Sequence, residues 1–172
     1  MAVEIERKFL LAGDGWRAAV ARSQPMAQGY LNDLGAVTGG VQKASVRVRI
    51  EGQAAFLNIK SAQAGCRRLE FEYPVPVDQA RQLLELCVGG RVLKQRHYVR
   101  HGRHLWEIDE FEGDNAGLVV AEIELDAVDE VFERPDWLGA EVTDLPRYYN
   151  LALADRPWST WTDAERDGQP GA

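Results

Sequence analysis

The run Val3-Glu4-Ile5-Glu6-Arg7-Lys8-Phe9 alternates, with Val3, Ile5, Arg7 and Phe9 on one side and Glu4, Glu6 and Lys8 on the other. A repeat of two residues is the signature of a β-strand, since successive side chains of a strand point to opposite faces. Its polar side is fully ionised and mixed in sign.

Working outward, the same habit recurs. Strand-like runs fall at 26–32, 44–51, 54–60, 68–75, 91–101, 104–111 and 118–125, and Glu51-Gly52-Gln53 and Gly102-Arg103 read as hairpin turns. Helical spacing is expected over 16–21, with Asp14 as its cap, over 78–88 ended by Gly89-Gly90, over 126–133 and over 145–154, while 35–40 is expected as a loop. About eight strands joined mostly by hairpins, against three or four short helices, point to an antiparallel α+β or barrel architecture rather than βαβ repeats. One domain is expected over 1–154, followed by a polar, turn-rich tail at 155–172 whose last ten residues are expected to fray. For Trp158 and Trp161 in that tail, packing back on the barrel is favoured over contact with a partner.

With 172 residues and 45% hydrophobic content, the chain is long enough to bury a core. A formal charge of −7 argues against a general nucleic-acid or anionic-membrane binder, because both call for a basic surface. Cys66 and Cys87 lack any metal-type spacing, and no long apolar run is present, so reduced thiols, no membrane span and a cytoplasmic protein are expected. His101 and His104 flank a turn and are taken as bystanders.

The charged sides of these strands carry pairs of a single sign: Arg47/Arg49, Glu70/Glu72, Lys94/Arg96, Glu107/Asp109 and Glu122/Glu124, with Lys60 alone and Glu4/Glu6 preceding Lys8. A solvated sheet face would explain any one strand. It does not explain sign purity on so many, since an ordinary wet face mixes signs and includes Thr, Ser and Gln. Carboxylates converging in one barrel resist joint ionisation, and a divalent cation relieves that cluster. Oxygen-only ligands suit Mg²⁺ or Mn²⁺, and grouped Arg and Lys attract phosphate oxygens.

Glu4-Ile5-Glu6-Arg7-Lys8 is an ExExK motif. With the Arg-x-Arg, Glu-x-Glu, Lys-x-Arg and second Glu-x-Glu pairs in this order, and with Gln28-Gly29-Tyr30-Leu31 and Leu145-Pro146-Arg147-Tyr148-Tyr149-Asn150, the chain resembles the CYTH superfamily, the triphosphate tunnel metalloenzymes. The resemblance implies an eight-stranded antiparallel barrel open at both ends, its charged faces inward. It implies that Lys8, Arg47, Arg49, Lys60, Lys94 and Arg96 hold a triphosphate and that Glu4, Glu6, Glu122 and Glu124 face the metal. Glu70, Glu72, Glu107 and Asp109 form a second acidic group, for a second metal or the attacking water. Tyr30 is expected either to pair with Lys8 and tune a proton acceptor or simply to pack in the wall.

The leading expectation is therefore a divalent-metal-dependent hydrolase of inorganic triphosphate, a small anionic substrate, with a homodimer left open. Thiamine-triphosphate hydrolysis and adenylate cyclisation are the alternatives within the superfamily. A polyphosphate-binding module without turnover is the alternative outside enzymology.

Overall fold

A computed structural model describes residues 3–63 and 65–167. Among the described residues there are nine strands: β1 (Val3–Leu11), β2 (Val20–Tyr30), β3 (Ala44–Glu51), β4 (Ala54–Ser61), β5 (Arg67–Pro74), β6 (Val88–His101), β7 (His104–Phe111), β8 (Val119–Glu124) and β9 (Leu138–Glu141). Hydrogen bonding runs in the order β5-β4-β3-β2-β6-β7-β8-β1-β9, and a further pairing joins β5 to β1. That pairing closes eight strands into an antiparallel barrel and leaves β9 as an outer flap. The first strand does the closing. Its residues Val3, Glu4 and Ile5 pair with Leu69, Arg68 and Arg67, and from Glu6 onward it pairs with β8, Glu6 opposite Glu124 and Lys8 opposite Glu122.

The strand alternation has the expected sense, charged inward and apolar outward. Outward faces bury only if something covers them. The amphipathic helix α2, which follows β5 at Val77–Glu85, lays Ala80 and Leu84 against Val48 and Ala55 of β3 and β4. Across the barrel, Phe9, Trp106, Ile108, Ala121 and Ile123 form a cluster with Trp16 and Leu138, joined by Phe132 and Trp137. Phe9 and Phe132 each meet Trp106 edge-on at 5.7 Å. β5 lacks such cover: Leu69, Phe71 and Tyr73 are 47%, 45% and 52% exposed.

Several element boundaries differ from expectation, each for a local reason. Residues 15–19 form a 3-10 turn, with no side-chain cap from Asp14, and β2 starts already at Val20. Pro25 is tolerated inside β2 because β3 pairs only from Met26 onward, so one side of the strand needs no N–H there. The expected loop at 35–40 contains a short helix, α1 (Leu34–Thr38), because Asp33 accepts a hydrogen bond from the Ala36 N–H at 2.7 Å and Leu34 and Val37 are buried. Gly89 and Gly90 do not end α2 but belong to β6. Gly89 has φ of 68°, and a Cβ there would lie 2.8 Å from Leu34 and 3.1 Å from the Ala154 carbonyl. Gly29 lets β2 pass beneath α2, since a Cβ would meet Cys87 Sγ at 2.7 Å.

The acidic segment 126–133 is not a helix but a series of turns. Glu130 gathers it, accepting from Asp126 N, Arg103 Nη2 and His104 Nε2 at 2.6–2.8 Å. Residues 145–154 divide into a 3-10 turn at Pro146–Tyr148 and α3 at Asn150–Asp155. At the barrel end where β2 and β7 finish and β6 and β8 begin, Tyr30, Val92, Phe111 and Val120 pack with Tyr148, Leu153 and Trp161. This end is therefore covered rather than open, and the charged stretch of lumen stops there. Trp161 is buried in that cluster, Trp158 lies against it, and Asp163–Arg166 form a last helix, α4, with a Thr162/Glu165 capping box. The remainder of the expected frayed tail, 168–172, lies outside the described residues.

Candidate functional site

The barrel encloses a cavity of about 450 Å³, a size typical of small-molecule sites. Every residue singled out from the sequence lines it except Glu70, Glu72 and Asp109. Antiparallel register does the assembly: inward residues of neighbouring strands fall opposite one another, so Lys8 meets Glu122, Arg96 meets Asp109 and Lys60 meets Glu70.

The lumen has two charged regions. In the first, Arg96 is the hub. Its Nε and Nη2 donate to the two oxygens of Asp109, both at 2.7 Å, its Nη2 also reaches Glu122 at 3.0 Å, and its Nη1 pairs with Glu107. Lys94 Nζ donates to the same Asp109, and to Asn150 Oδ1 at 3.2 Å. Lys8 Nζ pairs with Glu122. Burial alone would discharge these groups, but mutual attraction decides most of them. Burial lifts the carboxyl of Glu122, yet Lys8, Arg96 and Lys94 overcome it and hold the group well below the ordinary range. Asp109 is held low in the same way by Arg96 and Lys94. Burial pulls Lys8 down, but Glu122 and Glu6 outweigh it and leave its pKa raised. Lys94 goes the other way: burial, with Arg96 nearby, pushes its ammonium down to about 8 despite Asp109. Burial, with Glu122 close by, raises Glu107.

The second region lies between β1, β4, β5 and β8. Lys60 Nζ bridges Glu4 at 2.7 Å and Glu70 at 3.1 Å, and Arg68 pairs with Glu6. Asn58, fully buried, donates to Glu70 at 2.9 Å and Glu72 at 2.7 Å, while Arg47 and Arg49 reach the same two carboxylates. Glu124 is different. Among the described residues its side chain makes neither an ion pair nor a hydrogen bond, and burial together with Glu4, Glu6 and Glu70 raises its pKa.

The expected site residues thus come together around the lumen. Asp109, expected in the second acidic group, is 0% exposed and has both its oxygens taken by Arg96 and Lys94, so it stands as their counter-ion. Glu70 and Glu72 on β5 attend Arg47, Arg49 and Lys60, whereas Glu107 and Asp109 on β7 attend Lys94 and Arg96. Tyr30 is buried beside Arg47 and Lys8, and burial raises its pKa, but the hydrogen bond of Lys8 goes to Glu122. Lys8, itself raised, is held by Glu122, and Tyr30 stands beside it on the cavity wall.

A divalent cation fits the chemistry of the second region. The donors are carboxylate oxygens only, Glu6 lies directly opposite Glu124, and like charges facing each other across strands are unfavourable until something neutralises them. Among the described residues no three such side chains are set to enclose an ion, because Lys60 and Arg68 hold Glu4 and Glu6.

Sequence reasoning missed Arg68, Asn58, Gln28 and Tyr149. Arg68 lies over the Tyr149 ring at 5.1 Å, and although burial lowers its pKa, Glu6 and Glu4 prevail and raise it. Its strand position, two before Glu70, was the available signal; neutral Asn58 gave none, and Gln28 and Tyr149 stood only inside two motifs of the resemblance with no role assigned.

A family model described as the CYTH domain matches residues 2–152. The chain is 40% identical over 164 residues to an inorganic triphosphatase of Acetivibrio thermocellus, covering 95% of this chain and 100% of the relative. It is 37% identical over 156 residues to an inorganic triphosphatase of Nitrosomonas europaea, covering 88% and 96%. A crystal structure of an inorganic triphosphatase superimposes with a TM-score of 0.62 at 34% identity, over 90% of this chain and 95% of that one.

Proposed function

The chain belongs to the CYTH domain family, and from that premise we propose that it hydrolyses inorganic triphosphate to pyrophosphate and phosphate inside the barrel. The observation that carries this reading is the lumen itself, in which Lys8, Arg47, Arg49, Lys60, Lys94 and Arg96 face one enclosed cavity together with Glu4, Glu6, Glu122 and Glu124.

Phosphoryl transfer asks for charge neutralisation on the phosphate oxygens and alignment of water with the scissile bond. Arg47 and Arg49, adjacent on the inner face of β3, take the oxygens of one end of the triphosphate in forked fashion. Lys94 and Arg96 add positive charge from β6, Lys94 as a point charge, both held in place by the buried Asp109. Lys8 stays protonated beside Glu122 and serves as a further point charge. Glu4, Glu6 and Glu124 are the residues that would hold Mg²⁺ or Mn²⁺, which supplies charge neutralisation and a more acidic bound water. Glu124, whose carboxylate lacks a cation of its own among the described residues, is the first candidate among them. Burial of Lys8, Arg47, Lys94, Arg96 and Glu122 strengthens their interactions, because water screens them little.

The test is a phosphate-release panel with triphosphate, ATP, thiamine triphosphate and long-chain polyphosphate, each with Mg²⁺, Mn²⁺ or excess chelator. Turnover should be greatest on triphosphate and vanish with chelator. Faster release from thiamine triphosphate would reassign the substrate, and binding without release under every metal would make the protein a polyphosphate-binding module.

A further inference from the structure

We infer that Gln28 is a substrate-contacting residue, its side-chain amide and the Nε edge of Arg49 forming one docking point for a phosphate oxygen. Gln28 sits in the middle of β2, is 0% exposed and lines the charged cavity. Among the described residues neither its Nε2 nor its Oε1 has a hydrogen-bond partner. Buried polar side chains are nearly always satisfied, and a buried amide left wholly unmade is the kind of exception that calls for an explanation. Leu or Met would fill the same space without the cost of desolvating an amide.

The residue directly opposite on β3 is Arg49. Its Nη2 donates to Glu72 at 2.8 Å, but its Nε makes no hydrogen bond among the described residues, although a Glu51 oxygen lies 3.2 Å away out of line. Burial and neighbouring Arg47 also lower its pKa, as expected of a guanidinium that has not found its full complement of acceptors. Lys8, Lys60, Lys94 and Arg96 are each tied to carboxylates, whereas here two donors on adjacent strands face the lumen unmet. A phosphate oxygen accepts from both at once. Oε1 of Gln28 then accepts from a water lying beside the phosphate. A neutral amide suits that place: it adds a donor without adding to the repulsion among Arg47, Arg49 and Arg96.

This inference rests on triphosphate as the substrate, so the experiment separates the two. Triphosphate binding is measured by calorimetry for the parent, Gln28→Leu and Gln28→Glu, together with unfolding temperature in the absence of triphosphate. Gln28→Leu should bind about 10- to 100-fold more weakly, the worth of one hydrogen bond to a charged group, and should melt no lower than the parent, because it removes an unmet buried amide. Gln28→Glu keeps the shape but sets a carboxylate against the phosphate, and should bind more weakly still. If the parent binds triphosphate and Gln28→Leu binds it equally well, the inference is overturned alone. If Gln28→Leu does not fold, equal binding by parent and Gln28→Glu overturns it. A parent that does not bind triphosphate overturns the proposed function and this inference with it.

Discussion

Replacing Asp109 by Asn changes one oxygen to NH₂ at a residue that is 0% exposed and accepts three hydrogen bonds from two cations. Asn can still accept at one oxygen, but its NH₂ group must face the donors of Arg96 or Lys94. The side chain cannot turn away, since its strand is paired on both sides, with β6 at Arg96 and with β8 at Val120. Breaking a buried ion pair by removing one partner costs about 3–5 kcal/mol, because the other charge stays buried without compensation. For a chain of this length each kcal/mol moves the unfolding temperature by roughly 2–4 °C, so a fall of about 6–20 °C is expected. Triphosphate should reverse part of it, because it brings negative charge to the freed cations: ligand at a hundred times its dissociation constant adds about 2.7 kcal/mol. Thermal unfolding followed by circular dichroism, with and without triphosphate, measures both effects. A lumen-facing metal ligand would behave oppositely, its neutralisation leaving metal-free stability unchanged or higher. An Asp109→Asn variant melting with the parent would therefore refute the counter-ion role.

Two further outcomes follow from the same lumen. Glu124→Gln relieves the repulsion with Glu6 across the β1–β8 pair, so metal-free melting should not fall, while metal-dependent turnover should drop at least ~100-fold, comparable to losing one essential charge-stabilising group; parallel calorimetry with Mn²⁺ and phosphate-release rates check this, and unchanged rates would remove Glu124 from the site. For Lys94, whose pKa is pushed down to about 8 from an ordinary 10.5, the cation is lost as pH rises through 8 while an unfolded chain still binds its proton. Stability should accordingly rise between pH 8 and 10.5 as triphosphate affinity falls; titrations of Lys94→Arg, which should flatten both slopes, provide the check.

The lumen was legible because its chemistry is written in a two-residue repeat. Glu4/Glu6, Arg47/Arg49, Lys94/Arg96 and Glu122/Glu124 each sit at i and i+2, and the register of a closed antiparallel barrel brings such pairs together. What each carboxylate does was not legible. Asp109 and Glu124 look alike in sequence, yet one is saturated by Arg96 and Lys94 and the other lacks a cation among the described residues, a difference set by partners more than ten residues away. Neutral lumen residues such as Gln28 and Asn58 carry no charge pattern to announce them. Element ends were lost where tertiary contacts overrode local preference: Gly89 and Gly90 stop a helix on paper but here extend β6 past Ala154, and the glycine-rich 35–40 segment becomes helical because Leu34 and Val37 find the core.

The closing role of β1 has a consequence for how the molecule comes to exist. β1 is made first but finds Arg67–Leu69 only some sixty residues later and its main partner, Ala121–Glu124, more than a hundred residues later. Contacts so distant in sequence slow folding, because a long loop must be closed before any pairing rewards it. The half-sites for anion and cation are thus separate on the nascent chain, Glu4, Glu6 and Lys8 waiting in water while Arg47, Lys60 and Lys94 emerge. Burial of Lys8 and Glu122 waits on the pairing of β1 with β8, so the binding face is complete only once the chain as far as Glu124 has been made.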